Sequence, residues 1–549
     1  MNNKQRVLNK KVSQFFRLRG LQTRPDALHP VLELIDQAAD DWHPMLQALA
    51  AELEKQPLRD GCVDAAAVER AKAAMTARQQ TASAQIHLEV VDLFDTRPLN
   101  FDPVRRAFLA QSTKIELHAG PESRSKMLAL RLALIEQRVR RHERFKAPAF
   151  TGLSTEASDH VQLTAINALL GRTGTRVVLG VLSEVEDGFV LEDTHGVISL
   201  ENLHGAATLG GFFTSSAIVL VEGEVMPSGA FHVKLLGLPP PEKRFTSLTA
   251  LGSCNPIQMA NGTSQPMPTG ASPPTSHTPQ VSEVAMENAM VIVLADLWLD
   301  HPKTLEQLQV LLNGYEQAGS SIIRTGRTTQ PIAAFFTFVL TGNFFSPAIA
   351  RTNVHRSTLV SHFKQLAESL RKAPTLRDHS HFIIVPGPDD LCLASPDVLP
   401  RAPLPQVLAA PLTEVLTHCT LTTNPARFNV CGQEVVVFRE ELLARMRRCT
   451  LLAPNEEVHE DLDKHLVETL IHQAHLCPLP QSEMAVYWQL EHALWLHPAP
   501  DVLVIAQRTS QTHWTYNGTV AFNPGSFATD GDWMVYRPAN AAAEPSSLK

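Results

Sequence analysis

Apolar and polar positions change period three times along the chain. From residue 10 to about 82, Val12, Phe15, Phe16 and Leu18, then Leu28, Val31, Leu32 and Ile35, recur at helical spacing in an Ala-, Leu- and charge-rich background. This predicts a small α-helical bundle over 1–82, with Asp26 and Asp64 as N-caps of its second and last helices. A less regular connector, 83–145, ends in a helix from about Ser123 to Arg144 whose apolar face carries Met127, Leu130 and Leu134. From Arg176 the period shortens to strands: Val177 to Val185, Phe189 to Glu192, Val197 to Leu200, Ile218 to Val225 and Phe231 to Leu236. Glu186-Asp-Gly188 and Pro227-Ser-Gly229 supply turns, and five strands with one longer connection predict an OB-fold β barrel over 146–245.

Residues 246–282 hold six prolines and no Asp, Glu, Lys or Arg, the composition of a flexible Pro/Ser/Thr-rich linker, which we bound at 246–285. Beyond it, over 286–549, strands alternate with helices. Val291 to Ala295 precedes Leu305, Leu308, Leu311 and Leu312; Phe335 to Leu340 precedes Leu359, Phe363 and Leu366; His381 to Val385 follows. That alternation predicts an α/β sandwich of mainly parallel order, with Glu434 to Phe438, Asp501 to Ala506 and Thr519 to Phe522 completing its second sheet.

Composition narrows the functions open to such a chain. At 549 residues it exceeds one core, and roughly 150 residues per domain gives three or four units. The net charge of −8 supplies no global positive field for nucleic acid. Locally, residues 161–237 carry three cations against eight acids, so the barrel reads as protein-binding rather than single-strand-binding. The helix near Ser123 to Arg144 and its flank carry eight cations (124, 126, 131, 138, 140, 141, 144, 146). They surround the apolar face without interleaved aromatics, which fits a solvated face better than a phosphate contact, though a phosphate contact stays open. Seven cysteines without Cys-x-x-Cys indicate reduced thiols in a cytosolic or nuclear compartment and no structural zinc ribbon. No apolar stretch follows Met1-Asn-Asn-Lys-Gln-Arg-Val, and the uncharged run Thr328 to Ala350 is interrupted by Pro331, Gly342 and Pro347, so neither a secretory signal nor a membrane span is expected.

In open α/β sheets functional groups collect at strand carboxyl ends, here Asp296, Asn343, Asp389 and His475. A two-metal phosphoesterase holds cations about 3.5–4 Å apart on a shared carboxylate and several His or Asp ligands. Its pattern is Asp-x-His, Gly-Asp-x-x-Asp, Gly-Asn-His-Asp/Glu, a lone His and Gly-His-x-His. Here Asp296 is kept but Trp298 stands in place of the His. Gly342-Asn343 lacks the bridging carboxylate, Pro388 and Asp389 replace Asn-His, and Ala506-Gln507-Arg508 replaces the last motif. An arginine there would repel a dimetal centre. Only Asp296 and His475 remain of the ligand set, so no catalytic residue, bound metal or cofactor is expected. His379-Ser-His381 and the pair His472 and His475 could each ligate a metal, but neither has a third ligand at fixed spacing, and surface pairs are the simpler reading. Gly171-Arg-Thr-Gly174 is too short for a phosphate loop and turns the chain into the first barrel strand.

A series of short motifs then runs through nearly the whole chain: Leu18-Arg-Gly-Leu21, Glu54-Lys-Gln-Pro-Leu58, Arg141-His-Glu-Arg-Phe145, Leu191-Glu-Asp193, Asp296-Leu-Trp-Leu-Asp300, Gly342-Asn-Phe344, Val385-Pro-Gly-Pro-Asp389, Thr422-Thr-Asn-Pro-Ala-Arg427, Val437-Phe-Arg-Glu440, His475-Leu-Cys-Pro-Leu-Pro480, Pro500-Asp-Val-Leu-Val-Ile-Ala506 and Asn523-Pro-Gly-Ser-Phe527. Together they resemble the B-subunit (second-subunit) family of DNA polymerase epsilon, more closely than the B subunits of the alpha or delta polymerases. The resemblance implies an N-terminal helical domain like the lid of AAA+ ATPases, an OB fold and an inactivated calcineurin-like phosphoesterase domain. It also implies a noncatalytic nuclear subunit of DNA replication. Members of that family bind the cysteine-rich C-terminal region of the catalytic subunit and help tether the polymerase to the replicative helicase and its GINS complex. The small histone-fold subunits would be met indirectly, DNA indirectly or weakly, and no membrane. A divergent metal-dependent phosphoesterase and a single-stranded-DNA-binding OB protein are the alternatives.

Overall fold

The computed structural model describes residues 88–111, 115–146, 160–252, 288–324, 336–350, 355–391, 397–452 and 461–548, with residue 286 and eleven positions before residue 88. The chain divides into two compact units, Met1–Gln85 with Pro279–Ser282, and the remainder. In the first unit a parallel pair joins Gln22–Thr23 to Cys62–Val63, and Phe16, Val31, Leu49, Ala67, Val68 and Ala71 are buried in helical positions. The rest of the helical bundle expected over 1–82, with Asp26 and Asp64, lies outside the described residues, as does the linker beyond residue 252.

The second unit opens with β1 (Leu88–Val91) and α1 (Glu122–Arg141). Its barrel strands are β2 (Arg176–Val185), β3 (Gly188–Glu192), β4 (Val197–Glu201), β5 (Ile218–Val225) and β6 (Phe231–Gly237), matching the five expected to within a residue at each end. They pair in the order β5-β2-β3-β4-β6, and β6 returns to β5, which closes the barrel. Only β4 and β6 run parallel in this ring. Alternation explains the closure: Leu182, Leu191, Leu200, Val219, Val221, Phe231 and Val233 point into one buried cluster while charged neighbours face out.

Apart from short pairings, the other strands of this unit form two six-stranded mixed sheets. The first runs β10 (His418–Leu421), β9 (His381–Val385), β8 (Phe336–Thr341), β7 (Met290–Ala295), β16 (Asp532–Arg537), β17 (Ala542–Ser547). The second runs β14 (Thr512–Tyr516), β15 (Thr519–Asn523), β13 (Val502–Ala506), β12 (Gln433–Arg439), β11 (Ala426–Val430), β1. The inner strands of the first sheet are parallel and read as unbroken apolar runs because both faces are covered, every residue of β8 being buried. On one face, α2 (Pro302–Arg324) and α3 (Arg356–Arg371) bring Leu308, Leu312, Phe363 and Leu366 against Ile292, Phe338 and Phe382. Each such side chain contributes roughly 1.5–3 kcal/mol on burial. β1 lies in the segment read as a connector, and it pairs antiparallel with β11 as an edge strand of the second sheet. Residues 246–251, read as the start of the linker, belong to a helix, Arg244–Leu251.

Barrel, α1 and sheets are joined by α4 (Leu462–Gln473), which ends at Ala474 in the left-handed region. Gln473 Nε2 donates to Ile218 O at 2.7 Å, and its Oε1 accepts from Ile218 N at 2.9 Å and from Arg131 Nη2 at 3.1 Å. A side-chain amide thus completes the backbone pairing of the first residue of β5. Arg138 donates to the carbonyls of Ile471 and His472, and Arg141 pairs with Glu242 at 2.7 Å. Arg131 and Arg138 are buried, so the core of the cationic helix is spent on intramolecular bonds rather than presented to phosphates.

Candidate functional site

Asp296 directly follows β7, in the left-handed region at φ 56°, and is 1% exposed. Its Oδ1 accepts from Arg439 Nη2 at 2.8 Å and from the Asn343 amide at 3.2 Å, while Oδ2 accepts from Arg508 Nε at 2.9 Å. Arg439, fully buried at the end of β12, also donates to Gly342 O at 2.7 Å, Ala506 O at 3.1 Å and Glu441 Oε1 at 2.8 Å. Each sheet therefore delivers a strand end to one point: β7 and β8 bring the carboxylate and the Gly342 turn, β12 and β13 the guanidinium groups.

Burial works to raise the Asp296 pKa, but Arg439 and Arg508 outweigh it and hold the carboxyl below the usual carboxylate range. The same pairing overcomes the burial of Arg439 and keeps it charged. Arg508 further lies 5.7 Å from the centre of the Trp298 ring and 3.9 Å from Asp389 Oδ2. A guanidinium against an indole face is a favourable cation–π arrangement. The expected repulsion between Arg508 and a metal centre is replaced by an ion pair with the one retained ligand.

The turns beneath are closed by their own polar groups. Asn343 Nδ2 donates to Asp389 Oδ2 at 2.9 Å, and Asn343 Oδ1 accepts from Asp389 N at 3.0 Å. Asp390 accepts from the Gly387 amide at 2.7 Å and the Phe344 amide at 2.8 Å, and burial pushes its carboxyl up to about 6. Gly342 and Gly387 are required by this approach: a Cβ on Gly342 would lie 1.8 Å from Asp390 Oδ2, and one on Gly387 2.2 Å from Asn343 Oδ1. Asp300 accepts from Ser346 N and Oγ, fixing the same loop.

Gln507 serves another contact, its Oε1 accepting from Leu443 N at 3.1 Å and its Nε2 donating to Asp463 Oδ1 at 3.0 Å. His475, expected among the surviving ligands, lies instead in a buried pair with Glu491 at 2.9 Å, its Nδ1 accepting from the Cys477 amide. The backbone explains the misplacement: His475 follows the left-handed turn that ends α4, not a strand of the Asp296 group. His472 bonds Pro239 O and the Tyr516 hydroxyl, and His381 stands 4.7 Å from His418, ring centre to ring centre. Among the described residues no three His, Cys, Asp or Glu side chains converge as a metal site. Nor is any described helix long and apolar enough to cross a membrane. The residues that sequence reading missed are Arg439 and Asp390; a lone cation closing the apolar run Val435 to Phe438 was the available signal for the first.

The geometry is that of a strand-end site whose carboxylate is neutralised from within the protein. Two family models match the chain: the B subunit of DNA polymerases alpha and epsilon over 291–513, and the OB-fold domain of DNA polymerase epsilon subunit 2-like proteins over 121–240. The DNA polymerase epsilon B subunit of Arabidopsis thaliana is 32% identical over 98% of both chains. The human DNA polymerase epsilon subunit 2 is 31% identical over 97% of both, and the Schizosaccharomyces pombe DNA polymerase epsilon B subunit is 27% identical over 82% of this chain and 74% of its own. A solved archaeal phosphodiesterase shares 10% identity at a TM-score of 0.23, over 47% of this chain and 99% of its own, a similarity too low to assign the fold. With two full-length relatives above 30% identity and both family models in register with the barrel and the α/β body, the chain belongs to the B-subunit family of DNA polymerase epsilon.

Proposed function

We propose that this chain is the noncatalytic accessory subunit of a DNA polymerase epsilon complex in nuclear DNA replication, and that it acts by binding proteins. The observation that carries this reading is the closure of Asp296 between Arg439 and Arg508. A metal centre needs carboxylate oxygens free to bridge cations. Here both oxygens of the one retained acid are bonded to guanidinium groups that are themselves fixed on Gly342, Ala506 and Glu441.

On this reading the α/β body is a calcineurin-like phosphoesterase fold with its ligands replaced. Trp298, Asn343, Asp389 and Gln507 are the degenerate positions around Asp296, and His475 falls outside the set. The body, the barrel and the segment 83–145 would form one docking platform for the C-terminal region of the catalytic subunit. The unit within 1–82 would be a helical, AAA+ lid-like tether toward the replicative helicase and GINS. Histone-fold subunits and DNA would be reached indirectly. Co-expression of the full chain with the C-terminal region of its catalytic subunit, followed by size exclusion, tests the reading. Co-elution in a stable complex is expected, and separate elution of two folded proteins would overturn it.

A further inference from the structure

The hairpin of β14 and β15 ends the second sheet, and β14 has a strand neighbour on one side alone. Its turn is Asn517-Gly518, both residues at positive φ, 51° and 90°. In this two-residue form the flanking pair, Tyr516 and Thr519, exchanges both backbone bonds. Antiparallel alternation then turns the backbone groups of Thr512, Trp514 and Tyr516 toward β15 and leaves the N–H and C=O of His513 and Thr515 facing outward. None of these outward groups meets a partner among the described residues.

Edge strands are commonly blunted by charge, proline or bulges. β17, at the edge of the first sheet, carries Glu544 and Pro545, and β1, at the far edge of the second, carries Glu89. From Thr509 to Gly518 there is no Asp, Glu, Lys, Arg or Pro, and the register with β15 is unbroken from Thr512 to Tyr516. The strand is also held in place. Before it, Gln511 Nε2 donates to Trp533 O at 2.7 Å and to Ser546 O at 3.0 Å; after it, Asn517 Nδ2 donates to Glu242 O at 3.0 Å. The Tyr516 hydroxyl lies 2.6 Å from His472 Nε2. A line of fixed backbone groups leaves little ordering for this side to undergo when another strand arrives. Trp514 and Tyr516 are half-buried against the core of the second sheet, so incoming side chains on that face meet aromatic surface, which suits β-branched residues.

We infer that β14 is a docking edge for an extended segment of a protein partner, which adds to the sheet as a seventh strand. Unpaired N–H and C=O groups in a row are satisfied by another extended backbone, and this selects the occupant's conformation. A second copy of the chain is the poorer occupant: a stable dimer needs at least about 1,200 Å² of interface, of which so short an edge supplies a small part. A partner's segment needs no such area, because the partner's other contacts hold it close. The inference goes beyond the polymerase reading and does not depend on it.

The test uses the full chain labelled with 5-fluorotryptophan, the Trp514 fluorine resonance being assigned by Trp514→Phe. It is titrated with acetyl-Lys-Thr-Val-Thr-Val-Thr-Lys amide and with two N-methylated forms, one at the Thr amides and one at the Val amides. The parent peptide is expected to shift the Trp514 resonance saturably, with a dissociation constant on the order of millimolar. Alternate amides of a strand face its neighbour, so one methylated form should bind at least about tenfold more weakly and the other within about threefold of the parent. Thr515→Pro removes an outward N–H that the hairpin does not use and should weaken the parent peptide at least about tenfold, whereas Thr515→Val should leave it unchanged. The methylation comparison is made on the unaltered chain and does not depend on the folding of Thr515→Pro. No saturable shift, equal effects of the two methylation patterns, or undiminished binding by a folded Thr515→Pro would each overturn the inference. Dimerisation of the full chain that Thr515→Pro abolishes would give the edge to a second copy and overturn it as well.

Discussion

Arg439 and Asp296, 143 residues apart in sequence, meet at 2.8 Å with both side chains out of solvent. A buried pair of this kind adds little over a well-packed apolar substitute, but loss of one partner strands the other charge. Asp296→Asn and Arg439→Met should therefore each destabilise the second unit by about 3–5 kcal/mol, and the double variant should cost clearly less than the two losses together. Denaturant midpoints of the three variants check this. Single-variant losses below about 1 kcal/mol would show that the pair is not the lock described.

Asp390 and Asp296 should give opposite pH dependences. The Asp390 pKa is raised to about 6 from an ordinary 3.8, so the folded state keeps a proton that the unfolded chain releases. Its contribution is fully present below the unfolded value and is lost as pH rises through the folded one, an effect on the order of 3 kcal/mol. The Asp296 pKa is lowered, so its contribution is present above the unfolded value and lost as pH falls through the folded one. The stability of the wild type relative to Asp390→Asn should thus fall between roughly pH 4 and 6.5. A difference independent of pH would refute the assignment.

Gln473 should matter to the barrel although it lies outside it. Gln473→Ala strips partners from Ile218 N and O and from Arg131, three buried groups, and should cost about 2–4 kcal/mol. Hydrogen exchange of the full-length variant reads the effect locally, and protection should be lost first in β5. Unchanged exchange there would mean that the barrel is held without α4.

Much of this architecture was legible in the sequence. The barrel strands announce themselves because one face is wet, and the sandwich strands because both faces are dry. Asp296, Trp298 and Asn343 could be placed at strand ends by the same patterning. What could not be read is which charge each would meet. The partnership of Asp296 with Arg439 depends on two sheets bringing distant strand ends together, and no local spacing encodes it. β1 escaped because Leu88-Glu-Val-Val91 is too short to show a period, and becomes a strand only when β11 offers it an edge. His475 misled for a related reason: its place in a motif order suggested a ligand, whereas the left-handed turn at Ala474 directs it to Glu491.

The acidic barrel should not bind single strands. The cations of residues 161–237 are Arg172, Arg176 and Lys234, and Lys234 already pairs with Glu224 at 2.5 Å. Fluorescence anisotropy of the full chain with a labelled oligothymidylate should show binding no tighter than about 10⁻⁴ M at physiological salt. Tight binding with a steep salt slope would support the single-strand reading instead.

If the strand-end site is a structural lock rather than a metal centre, the purified full chain should not hydrolyse bis(p-nitrophenyl) phosphate with Mn²⁺, a measurement made with Asp296→Asn in parallel. We predict the same rate as protein-free buffer for both proteins at every Mn²⁺ concentration. Saturable, Mn²⁺-dependent turnover by the wild type that disappears in Asp296→Asn would instead make Asp296 a metal ligand.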